Sequence, residues 1–198
     1  MLTKYVFTAI VVAVILQRTI EVRISDRHKA KILQQGGQEH GDNLLGAVKV
    51  LQVSWWIAML LEVWFLDRPF VPVLAAIALA ATITGQVLRY FSMQALGWRW
   101  TLPIMTVPGM PVVESGLYRH LKHPNWLGVI LEIAFLPLIH GAYMTAISFF
   151  LGNAWLMSRR IVTEERALAN NTNYEAAFAQ KPRFIPVLDR RKLTDISQ

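Results

Sequence analysis

Five stretches of this chain carry almost no charge, and they decide what it can fold into. Residues 5–16, 71–88 and 142–157 contain no Asp, Glu, Lys or Arg; residues 51–66 contain only Glu62, and residues 126–139 only Glu132. A helix in a soluble core keeps a polar face, and these stretches have none. Extended by their flanks, the three nearest the N terminus (5–16, 51–66 and 71–88) approach the roughly 20 residues that carry a helix across a bilayer. The last two are shorter and separated only by His140 and Gly141, which predicts a tight helical hairpin. Composition agrees: 54% of residues are hydrophobic and 17% charged, against about 25% charged in a soluble domain. The expected fold is an all-α integral membrane protein with about five transmembrane helices, a C-terminal hairpin and a cytosolic amphipathic tail helix. The first stretch is expected to be retained, because Gln17-Arg18-Thr19-Ile20-Glu21 follows it in place of a small-residue cleavage site.

Charge predicts the orientation. In a five-span arrangement, 18 of the 20 Lys and Arg fall on one side, with Arg18 and Arg89 counted among those of the first and third connections; only Lys4 and Arg68 fall on the other. The positive-inside rule then puts the N terminus outside and the first and third connections and the C terminus in the cytoplasm. The net charge of +7 reflects this topology and contact with membrane lipids, chiefly at Arg190-Arg191-Lys192. It does not form the single basic groove of a nucleic-acid binder. Cysteine is absent, which excludes disulfides, thiolate catalysis and thiolate metal ligation.

Three regions follow: residues 1–95 with the first three transmembrane helices, residues 96–188 with the motifs that carry chemistry, and a basic tail at 189–198. Residues 23–43 are polar, contain Gly36-Gly37 and are expected to form a mobile loop. Gln52, Glu62 and Gln86 lie within apolar helices, where polar groups face the bundle interior or a cavity. From residue 96 the chain is too rich in Pro and Gly for a long helix and too apolar for a solvated loop. It should line a cavity or lie along the membrane face. The closing KPRFIPVL is expected to pack as an extended strip.

Two clusters flank the predicted hairpin. One is Tyr118, Arg119, His120, Lys122, His123, Asn125 and Trp126; the other is Arg159, Arg160, Glu164, Glu165 and Arg166. Arg160 and Glu164, four apart, share one helix face. Positive-inside anchoring accounts for Arg119, Lys122 and Arg159, an interfacial belt for Trp126, and a helix entry for His123-Pro124. Glu132 is different, being ionisable inside an apolar segment; it is read as a functional group or as the ion partner of a residue such as Arg160. His120, His123 and Glu132 do not form a recognised metal pattern, so no metal is expected.

Taken in order, G-L-Y-x3-K-H-P-N-W-x-G, R-x3-E-E-x2-L, Y-x3-F and P-R-F-I-P resemble the isoprenylcysteine carboxyl methyltransferase family over roughly residues 96–188. The likeness is greatest to microbial members that methylate lipid-like polyketides such as alkylpyrones and alkylresorcinols. The resemblance implies S-adenosylmethionine as cofactor. It implies that Met110, Pro111, Val112, Val113, Tyr118, Lys122, His123, Pro124, Asn125, Trp126 and Glu164 hold it, and that Arg160 faces a hydrophobic or lipidated acceptor. His123, Glu132 and Glu164 are candidates for proton removal from a phenol or enol, while a carboxylate acceptor needs none. The family's usual Arg and Tyr are Lys122 and Trp126 in this chain, losing a bidentate fork and a hydroxyl. Two other classes fit the membrane plan: an NADPH-dependent membrane reductase of related fold, and a non-catalytic lipid-binding subunit. Oligomeric state is not legible.

Overall fold

The computed structural model describes residues 1–41 and 44–184. Its elements are α1 (Leu2–Gln34), β1 (Gln38–His40), α2 (Leu45–Phe65), α3 (Pro72–Leu96), β2 (Ile104–Thr106), α4 (Pro124–Phe135), α5 (Tyr143–Asn171) and α6 (Tyr174–Phe178). Single-turn helices occupy Gly97–Arg99, Gly116–Arg119 and Pro137–His140. Among the described residues, three helices are long and apolar enough to cross a membrane: Leu2–Gln34, Leu45–Phe65 and Pro72–Arg99; Pro124–His140 is a shorter apolar stretch. Their outward faces carry bare aliphatic side chains such as Val53, Ile57, Ile77 and Ile83. Such a surface suits lipid and not water, as in an integral membrane protein.

One expectation is overturned. Most of the stretch 23–43 is not a loop, because α1 runs on to Gln34. Charge marks where a helix leaves the apolar layer but does not end it. The chain between Glu21 and Gln35 contains no Gly or Pro, and the first breaker is Gly36, at φ +78°. The projecting half of α1 then serves as a scaffold for the broken segment after α3. His28 Nδ1 lies 2.8 Å from the Trp100 carbonyl, and Ser25 Oγ accepts the Leu102 N–H at 2.8 Å. Beyond α1, β1 pairs antiparallel with β2, Glu39 opposite Met105.

The hairpin is present: α4, the Pro137–His140 turn, Gly141 in the left-handed region at φ +69°, then α5. Pro124 occupies the first turn of α4, with His123 as its N-cap residue. The N terminus of α5 has no cap of its own. Glu62 of α2 supplies one, accepting the N–H groups of Met144 (3.0 Å) and Thr145 (2.8 Å) and the Thr145 hydroxyl (2.8 Å). Glu62 is thus a buried structural carboxylate, placed where orphan helix N–H groups and the helix dipole both favour an anion. Gln86 accepts from Gln17 at 2.9 Å, so it too joins helices.

The α5 helix continues past its apolar part, as expected, and stops at Thr172, whose hydroxyl donates to the Leu168 carbonyl at 2.6 Å. The expected tail helix is therefore split, with α6 a separate turn after the break. Residues 185–198, with the second half of the expected closing strip, the basic tail and Arg190-Arg191-Lys192, lie outside the described residues.

The α3 and α4 helices touch backbone to backbone. A Cβ on Gly128 would lie 2.6 Å from the Gly85 carbonyl and 2.6 Å from Arg89 Cγ; a Cβ on Gly85 would lie 2.8 Å from the Gly128 carbonyl. Glycine at both positions is what lets the two helices close.

Candidate functional site

A cavity of about 650 Å3 opens where the broken 97–123 segment meets the helices. Apart from Pro124, every residue that the resemblance implicates lines it, from Met110–Val113 on the connector to Arg160 and Glu164 on α5. Pro124 is buried behind the wall, fixing the helix entry.

The polar corner is built from three directions. Trp126, in the first turn of α4, donates its indole N–H to Glu164 Oε2 at 3.1 Å. The tryptophan that stands where the family has tyrosine therefore still offers a donor. The Arg160 guanidinium lies 5.5 Å from the Trp126 ring centre, a cation–π contact, and also donates to the Leu102 carbonyl. Leu102 is thus held by α1 through its N–H and by α5 through its carbonyl. The Lys122 ammonium sits 5.9 Å from the Tyr174 ring. The connector is tied down in turn: Asn173 Oδ1 accepts the Val112 N–H at 2.8 Å, and the Pro111 carbonyl accepts from Arg99 at 2.5 Å.

His123 is buried, and its Nε2 is 3.0 Å from Glu165 Oε1. Arg183 grips the same carboxylate with two bonds, of 3.0 and 2.6 Å. Burial pushes the Glu165 carboxyl up, but the hydrogen bonds from His123 and Arg183 outweigh it and hold the group at about 2. Tyr118 is the opposite case. Burial, then the Glu164 charge, pushes its phenol well above the usual tyrosine range, so it remains a neutral donor. Asn125 Oδ1, on the cavity wall, is buried with no hydrogen-bond partner among the described residues. His120 is exposed and not part of the cavity lining.

The deeper wall holds what sequence reasoning missed. Of the two readings of Glu132, a functional group or an ion partner, the structure shows an ion partner, and the cations are Arg18 and Arg89 in place of Arg160. Glu132 bonds Arg18 of α1, and its Oε2 lies 4.0 Å from Arg89 Nε of α3. Glu21 completes the set, with Arg18 at 2.5 Å and Arg89 at 2.6 Å. All four groups line the cavity. Arg18 and Arg89 are therefore not membrane-edge cations; they are drawn inward by two buried carboxylates, which leaves the group electrically balanced. Their position one or two residues beyond charge-free stretches was the only sign available.

The comparisons with known proteins agree with this architecture. The model of the isoprenylcysteine carboxyl methyltransferase (ICMT) family matches residues 76–170. YpbQ of Bacillus subtilis (strain 168), described as uncharacterized, is 32% identical over 163 residues, spanning 82% of this chain and 96% of that protein. An uncharacterized protein of Haemophilus influenzae (strain ATCC 51907 / DSM 11121 / KW20 / Rd) is 26% identical over 154 residues, 77% of this chain and 89% of that protein. The solved structure of the eukaryotic intramembrane Ras methyltransferase ICMT superposes with a TM-score of 0.56 at 20% identity, over 72% of this chain and 53% of that one. The present chain thus spans about half of that structure, and the likeness bears on fold. The buried cavity, the ordered motifs around it and these matches lead to one assignment: the chain belongs to the isoprenylcysteine carboxyl methyltransferase (ICMT) family.

Proposed function

We propose that this protein is a membrane-embedded methyltransferase that uses S-adenosylmethionine to methylate an oxygen of a hydrophobic acceptor, either a carboxylate or a phenolic or enolic hydroxyl. The observation that carries the reading is the convergence, on one cavity, of a charged corner (Lys122, His123, Arg160, Glu164) with an apolar throat between helices. A zwitterionic cofactor and a greasy acceptor need that combination.

The residues present fit the cofactor. Its ammonium suits Glu164, which has one oxygen engaged by Trp126, and Asn125 Oδ1, which has no partner among the described residues. Its carboxylate suits the Lys122 ammonium, with the His123 ring, whose Nε2 faces Glu165, on the wall beside it. Tyr118 and Trp126 offer aromatic rings, and the apolar Met110–Val113 stretch offers van der Waals contact. When bound, S-adenosylmethionine would supply a methyl group on a sulfonium, open to displacement by an oxygen lone pair. The chain's own task is alignment and exclusion of water. Arg160, rigidly stacked on Trp126, would orient an anionic acceptor oxygen. A hydroxyl acceptor would lose its proton to His123, Glu132 or Glu164.

The charge bias supports an orientation with the N terminus outside and the cavity mouth in the cytoplasm, where soluble cofactor enters, while membrane lipids bathe the helices. Five membrane crossings, with α4 and α5 completing the set, belong to the same reading. The test is Arg160→Ala, which should abolish methyl transfer while leaving S-adenosylmethionine binding within a few-fold of wild type; loss of binding would move Arg160 to the cofactor side.

A further inference from the structure

Arg183, in the P-R-F-I-P motif, stands outside the main cavity yet reaches the site indirectly. The segment 181–184 runs along the outside of the turn that leads into α4. Pro182 and Arg183 accept, through their carbonyls, the N–H groups of Lys122 (2.9 Å) and His123 (3.1 Å). The Arg183 side chain then turns back and closes two bonds on Glu165, whose Oε1 is also the partner of His123 Nε2. One residue therefore holds the main chain of His123 through its carbonyl and the ring of His123 through a carboxylate. Arg183 itself is half-exposed and does not line the main cavity. Any effect it has there passes through Glu165 and His123.

An exposed ion pair is ordinarily worth little. This one differs because the fork is bidentate and the shared carboxylate also binds a buried ring. A carboxylate facing Nε2 fixes the proton on that nitrogen and fixes the ring plane, as outer partners do for histidines in other sites. Without Arg183, Glu165 would keep only the long bond from the Tyr174 hydroxyl (3.4 Å) beside His123 itself, could swing toward solvent, and the imidazole would lose its firm anchor.

We propose that Arg183 is a positioning residue: it clamps Glu165 in the rotamer that orients the His123 imidazole on the cavity wall, which makes the C-terminal strap part of the cofactor site. The proposal rests on the cofactor reading given above for what the cavity holds, but the clamp can be read without any ligand.

The experiment uses the full chain in detergent with wild type, Arg183→Ala, Arg183→Lys and Lys181→Ala. Lys181 is the control, because it pins the same segment through Glu114 (3.0 Å) without touching Glu165. The first readout is the 15N spectrum of labelled histidine at about pH 8.5, well above the ordinary histidine range near 6.5, with the His123 signal assigned by its loss in His123→Asn. Wild type and Lys181→Ala should show His123 as a single tautomer protonated on Nε2, and Arg183→Ala should show an averaged signal. The second readout is calorimetric binding of S-adenosylhomocysteine. Arg183→Ala should weaken it roughly tenfold, the equivalent of one charge-assisted hydrogen bond, and Arg183→Lys should recover part of that loss. An unchanged His123 signal in Arg183→Ala overturns the clamp, as does an equal change in Lys181→Ala. A tautomer fixed in a folded wild type and averaged in Arg183→Ala, with no binding of S-adenosylhomocysteine to either, would uphold the clamp and sink the cofactor reading instead.

Discussion

At the scale of single residues, the most consequential groups are the four buried charges Arg18, Glu21, Arg89 and Glu132. Each is held by partners on other elements, and the set is balanced only when complete. Removing one member leaves an unpaired buried charge, which costs about 3–5 kcal/mol. Glu132→Ala and Glu21→Ala should therefore both lower the thermal midpoint sharply in detergent, whether or not ligand is present. A Glu132→Ala protein as stable as wild type would show that the network does not hold the bundle. Glu165 gives a pH-dependent counterpart. Its folded-state value of about 2 lies below its ordinary 4.5, so its ionisation favours the folded state above pH 4.5, and that stabilisation is lost as pH falls from 4.5 toward 2. The loss of midpoint over that window should be smaller in Glu165→Gln than in wild type, measured by acid titration of unfolding. Sequence alone marked many of the cavity-lining residues, because those from Tyr118 to Trp126 lie close together in the chain and Arg160 and Glu164 lie one helical turn apart. It could not mark the four-charge network, whose cross-element partners stand 68 and 114 residues apart. A charge next to an apolar run reads the same whether it turns outward or inward.

At the scale of elements, two contacts set where the site residues stand. The α3–α4 contact depends on Gly85 and Gly128 facing each other, and α4 carries Trp126 and Glu132. Gly128→Ala would press a methyl against the Gly85 carbonyl, which cannot rotate away, so the helices must part. A destabilisation of about 1–3 kcal/mol is expected, read as a lowered denaturation midpoint together with weaker cofactor binding. The second contact is the Glu62 cap on α5. Glu62→Ala removes the acceptor of the buried Thr145 N–H and hydroxyl and of the more exposed Met144 N–H, at a cost of about 1–3 kcal/mol. Helix existence was legible from the charge-free runs, and the break after α3 from its prolines and glycines. The length of α1 was not, because polarity was taken for irregularity when only Gly36 ends the helix. Nor was the cap on α5 visible, since Glu62 is distant in sequence from the amides it serves.

At the scale of the whole molecule, the fold joins two solvents. Apolar helices face lipid, and the projecting half of α1, the far half of α5 and the broken connector enclose a polar corner at one end of them. The cavity runs from that corner to the deep ion network, so one chamber touches both a charged mouth and an apolar interior. Lys122 and His123 stand at the rim of the cavity, and the connector that precedes them forms its wall. The most direct measurement is calorimetric binding of S-adenosylmethionine and S-adenosylhomocysteine to the purified protein in lipid-supplemented detergent, wild type beside Glu164→Ala. The account predicts wild-type affinity on the order of micromolar and a loss of at least roughly tenfold in the variant. A folded wild type that binds neither compound, or a variant that binds as well as wild type, would contradict it.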